Sequence, residues 1–140
     1  MRVMGLGKAT TDSEAGAMPS PELIAAMAAY NEELVNAGVM KAGEGLQPTS
    51  RGKRVRFDGD SRAVADGPFS PVGEQVAGFW LWEVADMDEA VAWVKRSPNP
   101  MPGPSEIEIR PLYEAADFGE AMSADLAKRE TQMCERLRSG

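Results

Sequence analysis

The chain reads as an α+β protein: a ferredoxin-like βαββαβ subunit with an inserted β-hairpin and a helix at its C-terminal end. Three observations lead there. Two segments with helical apolar spacing and recognisable caps alternate with short strand-like runs. A basic alternating stretch folded around Asp58-Gly59-Asp60 sits between them as a hairpin. Finally, 43% hydrophobic and 26% charged residues over 140 positions is the balance of one soluble globular domain, not of a disordered chain.

The elements follow in order. Arg2 to Lys8 predicts a strand with Met4 and Leu6 on one face and Val3, Gly5 and Gly7 on the other. Ala9 to Ser20 is turn-rich. Ser20 as cap, Pro21 in the first turn and Glu22 at the positive end then open a helix, with Leu23, Met27, Tyr30 and Leu34 as its stripe. Ile24 and Val35 widen that stripe, and Gly38 stops it. Val39 and Met40 begin a second extended piece. Arg51 to Phe57 and Ser61 to Ala65 are the arms of the hairpin.

Ala77 to Val84 is the clearest strand, with faces Phe79/Leu81/Glu83 and Trp80/Trp82/Val84. Asp86 with Glu89 starts the second core helix, whose stripe is Ala90, Val91 and Val94. Pro98 to Pro104 is an irregular loop. Glu106 to Leu112 is the last strand. Beyond Tyr113, Phe118, Met122, Leu126, Met133 and Leu137 predict an amphipathic helix that docks on its own domain or on a partner. The domain division is therefore residues 1–113 for the ferredoxin-like domain and 114–140 for a helical extension.

Right-handed crossovers put both core helices on one face of the sheet, and the other face stays bare. With Trp, Phe and Leu in the central strand, the economical remedy is a homodimer pairing the open faces, with an enclosed cavity between or beside the sheets.

Composition removes several functions. There is no histidine and one cysteine, which excludes imidazole triads, structural zinc and internal disulfides. A net charge of −7 disfavours a phosphate-backbone binder, so no nucleic-acid partner is expected. The longest apolar run, Leu23 to Tyr30, is too short for a bilayer, so no membrane is expected either. A lone thiol without a signal-peptide pattern points to the cytoplasm. Gly5-Leu6-Gly7-Lys8 and Gly43-Glu44-Gly45 fall short of phosphate or dinucleotide motifs, and no cofactor is expected.

Asp66-Gly67-Pro68-Phe69, then Glu74, then Ala77-Gly78-Phe79-Trp80-Leu81-Trp82 form a recognisable series. With Ala42-Gly43-Glu44-Gly45-Leu46, Pro98-Asn99-Pro100 and Glu106-Ile107-Glu108-Ile109-Arg110, it resembles the DGPF-motif branch of the YCII-related family. The resemblance implies a dimeric α+β barrel and no settled activity. It also leads one to expect histidine where the chain has Gln47 and Met101, so the histidine–aspartate pair of related enzymes cannot form here. Glutamine orients a ligand but does not shuttle protons near neutral pH.

Asp66 is the first candidate for catalysis. A partly buried carboxylate beside a Gly-Pro turn can act as a base, and equally it can serve as an Asx-type turn satisfied by backbone N–H groups. Gln47, Glu74, Trp80, Trp82 and Arg110 are candidate ligand-binding residues. Trp80 and Trp82 can wall a flat ligand or fill the core, and Arg110 can clamp a carboxylate or form an ion pair. The leading reading is a homodimer that binds a small organic molecule, with proton abstraction or elimination by Asp66 if chemistry occurs. The alternative is a non-catalytic interaction protein, associated with transcription, that docks through its C-terminal helix.

Overall fold

The computed structural model describes residues 1–140. Six strands and four α-helices follow one another: β1 (Arg2–Lys8), α1 (Thr11–Glu14), α2 (Pro21–Asn36), β2 (Met40–Gly45), β3 (Lys53–Asp58), β4 (Ser61–Asp66), β5 (Val76–Glu83), α3 (Met87–Lys95), β6 (Ile107–Pro111) and α4 (Ala124–Ser139). The main sheet is antiparallel in the order β2-β5-β1-β6, and β3-β4 is a separate two-stranded sheet. Removing α1, α4 and the hairpin leaves the split βαβ order expected of a ferredoxin-like core.

The helices form where the caps demand. Ser20 Oγ accepts from the Leu23 N–H at 3.1 Å, and Asp86 Oδ1 accepts from the Glu89 N–H at 2.9 Å. The Glu89 carboxylate reaches back to the Ala85 N–H at 2.8 Å, one residue ahead of the usual box partner. Gly38, at φ 74, ends α2 as expected. Tyr30 and Leu34 of α2 and Ala90 of α3 join Val3, Trp80, Trp82 and Val84 in one buried cluster. Both helices therefore cover the Val3/Trp80/Trp82 face. Met4, Leu6, Phe79 and Leu81 occupy the open face, where register pairs Met4 with Leu81 and Leu6 with Phe79.

Three expectations need correction. Ile24 and Val35 stay 53% and 57% exposed, so the α2 stripe is narrower than its apolar residues suggest. The turn-rich segment contains α1, closed by a Thr10–Ser13 capping box. The C-terminal helix does not begin near Phe118. Residues Ala115–Ala121 form a 3-10 segment interrupted by Gly119 (φ 55, ψ −131), and α4 starts only where Ser123 caps Leu126. A left-handed glycine breaks helical periodicity even when apolar spacing continues through it. No residue of α4 is buried, and no helix is long and apolar enough to cross a membrane.

Tyr30 gives the core a pH dependence. Its ring meets Trp80 edge-on at 5.7 Å, and its hydroxyl donates to the Trp93 carbonyl. Burial pushes the phenol up to about 12; nearby Arg96 opposes that push and Glu33 adds to it. Above pH 10 the unfolded phenol ionises while the folded one holds its proton. This contribution is thus complete below pH 10 and is lost as pH rises toward 12, by about 2–3 kcal/mol in all. Urea midpoints of wild type and Tyr30→Phe between pH 9 and 12 check it. The wild type is expected to lose more stability than the variant, and parallel curves contradict the assignment.

Candidate active chamber and the Asp-Gly-Pro-Phe clasp

Two neighbouring rows on the helix-side face of the sheet shape the site. In the first, Trp80 lies between Gly5 on β1 and Gly43 on β2. A Cβ on Gly43 would stand 2.8 Å from Trp80 Cδ1, and one on Gly5 3.3 Å from Trp80 Cε3. These two glycines make room for the indole. In the next row Gly45, Gly78 and Gly7 lie side by side on three strands, and none carries a side chain. None takes a positive φ. A Cβ on Gly45 would meet nothing within 4 Å, and one on Gly7 nothing nearer than 3.6 Å. Neither conformation nor crowding calls for glycine at those two positions, yet each costs a strand about 0.5–1 kcal/mol relative to alanine. What the row supplies is depth.

Over that row, under the N-terminal half of α2, lies a chamber of about 870 Å³. This is within the size range of small-molecule sites, about 300–1,000 Å³. Leu23, Met27, Trp80, Met101 and Ile107 make its apolar walls, and Asp12, Ser13, Asn31, Glu44 and Gln47 add polar groups. Asn31 Oδ1 accepts from Trp80 Nε1 at 3.0 Å. Because an indole N–H only donates, this bond fixes the amide's orientation and leaves Asn31 Nδ2 without a protein partner.

Of the residues expected at a site, Gln47 and Trp80 line the chamber, and so does Met101. The other four lie elsewhere. Trp82 is fully buried, stacked on Trp80 at 5.1 Å, with its Nε1 unpartnered. Arg110 projects from the open face, 4.0 Å from Glu108 Oε2. Glu74 is exposed on a short 3-10 turn. Asp66 is exposed rather than partly buried, and binds Lys53 Nζ at 2.5 Å at the end of the hairpin ladder. Backbone N–H groups do not satisfy it; the cation opposite does. Asn31, Gly45 and Gly78 went unread as site residues. Asn31 does leave a trace, as the polar third member of the Leu23, Met27, Asn31 series on α2.

The Asp66-Gly67-Pro68-Phe69 run itself forms a clasp. Gly67 N–H donates to the Gly52 carbonyl at 3.1 Å, and Phe69 N–H to Thr49 Oγ1 at 3.0 Å. Thr49 in turn donates its N–H (3.1 Å) and its hydroxyl to the Glu14 carboxylate. The Arg54 guanidinium sits 4.0 Å over the Phe69 ring and binds buried Gln75 at 3.1 Å. The motif thus ties the hairpin base to α1 and to the approach of β5.

The YCII-related domain matches residues 1–115, from the first core strand through the last. An uncharacterized protein of Rhizobium meliloti (strain 1021) is 33% identical over 86 residues, 61% of this chain and 69% of that protein. A match that spans all four core strands and the hairpin carried between them makes the chain a member of the YCII-related family.

Proposed function

We propose that the protein binds a small organic molecule in the helix-side chamber, as a homodimer within the DGPF-motif branch of its family. The observation that carries this reading is the bare Gly45-Gly78-Gly7 row beside Trp80: Gly78 is needed where its Cβ would crowd the Glu44 carbonyl at 3.1 Å, but Gly45 and Gly7 carry a stability cost that yields only space. Gln47 and Asn31 supply hydrogen bonds, and Trp80 a wall. Asp66 has no chemical step here, because its carboxylate is exposed and committed to Lys53. The reading is one of binding, without an imidazole.

The test fills the floor. Gly45→Leu is expected to keep the fold by circular dichroism, since its Cβ enters open space, and to abolish binding of fragments that wild type captures in an NMR screen. Gly7→Ala, the milder version, should weaken the same fragments. Fragments that bind both variants as they bind wild type refute the chamber. The dimer rests on the open face of Met4, Leu6, Phe79 and Leu81. A monomer by sedimentation equilibrium overturns that part, and Leu81→Glu is expected to turn dimer into monomer.

A further inference from the structure

We propose that the molecule this chamber takes is a planar ring system without negative charge, laid flat on the Gly45-Gly78-Gly7 strip; this rests on the binding function just proposed. Three adjacent strands about 4.8 Å apart make the side-chain-free strip about 10 Å wide, the width of a fused ring pair. The strip offers surface rather than hydrogen bonds. Its strands pair on both sides of β5, and at its ends Lys8 N–H donates to Glu106 and Leu46 N–H to Ala77. Two residues along β5 is about 6.7 Å, which sets a ring on Gly78 within edge-to-face range of the Trp80 indole. The thioethers of Met27 and Met101 complete walls suited to aromatic edges.

Charge narrows the class. The charged side chains that line the chamber are Asp12 and Glu44, and neither Lys nor Arg is among them. The N-terminus of α2 is already answered by the Ser20 hydroxyl and by Glu22. An anion would lie there uncompensated in a chain of net charge −7. The free Nδ2 of Asn31 adds a donor and the Asp12 and Glu44 carboxylates add acceptors, so the ring carries a polar group that meets one or the other, such as a hydroxyl, carbonyl, ring nitrogen or amine.

Isothermal titration of wild type and Gly45→Leu with naphthalenemethanol, naphthalenemethylamine, naphthoate and decalinmethanol tests the class. The aromatic alcohol and amine are expected to bind wild type at least about tenfold more tightly than naphthoate or the non-planar decalin alcohol, and to lose binding in Gly45→Leu. Naphthoate binding as tightly as the alcohol overturns the charge assignment, and decalinmethanol doing so overturns planarity. Either can happen while Gly45→Leu still abolishes binding, and the chamber then stands without this ligand class. No binding by any of the four probes overturns the class outright, and binding that survives Gly45→Leu overturns both the class and the chamber.

Discussion

Gly67→Ala is expected to open the base of the hairpin and to cost about 3 kcal/mol or more, the upper end of what overpacking costs. A Cβ on Gly67 would lie 1.7 Å from the Thr49 carbonyl oxygen and 2.6 Å from its carbon. Both are backbone atoms, so no rotamer change relieves the clash and the two segments must separate. Separation breaks the Gly67–Gly52 and Phe69–Thr49 hydrogen bonds together and moves Phe69 from under Arg54. Every residue of β3 and β4 is exposed, so little else holds the arm in place. Trypsin reads the outcome directly, because Arg51, Lys53, Arg54, Arg56 and Arg62 all lie in or beside the arm. Rapid cleavage there, with a lowered urea midpoint, is expected. Digestion at the wild-type rate would mean the clasp does not hold the hairpin. Asp66→Asn serves as contrast: it removes an exposed ion pair and should cost under about 1 kcal/mol.

That contrast separates the two readings the motif invites. An Asp-Gly-Pro run carries turn chemistry and a reactive carboxylate in the same letters, and one sequence does not choose between them. The hairpin does. Counting outward from the Asp58–Ser61 pair places Lys53 opposite Asp66, a register already implicit in the Asp58-Gly59-Asp60 turn. The fold as a whole was legible because caps and alternation are local signals. Ser20, Asp86 and the split of β5 into Trp80/Trp82 and Phe79/Leu81 needed no partner strand to be seen. The chamber was not legible for the opposite reason. Gly7, Gly45 and Gly78 become a strip only after three strands pair with the irregularities at Gly7/Lys8 and Met40/Ala42 included, and a shift of one residue would turn glycines to the other face. The break at Gly119, inside the helix expected from Phe118 onward, was not legible because apolar spacing does not register one residue's backbone conformation.

Trp82→Ala carries the other large effect, about 3–5 kcal/mol, against a total stability of roughly 5–15 kcal/mol for a domain of this kind. Trp82 is fully buried on a central strand, opposite Val3 of β1 and Met40 of β2, and stacks on Trp80 at an interplanar angle of 26°. Its removal leaves a large void and takes away the backing of the indole that walls the chamber. Its buried Nε1–H has no acceptor, which by itself works against the fold by about 1–3 kcal/mol. Trp82→Phe drops that orphaned donor along with part of the buried area, so its cost should be well below that of the alanine variant. Guanidinium denaturation followed by circular dichroism measures both. Because neither variant carries the N–H, their difference reports the buried ring alone, and equal losses would contradict the packing assigned to Trp82. A loss under about 1 kcal/mol for Trp82→Ala would place the core somewhere other than between the sheet and α2. With Trp82 shortened but the chain still folded, ring ligands of the chamber should weaken as well, because Trp80 would no longer be held against the Gly5–Gly43 gap that receives it.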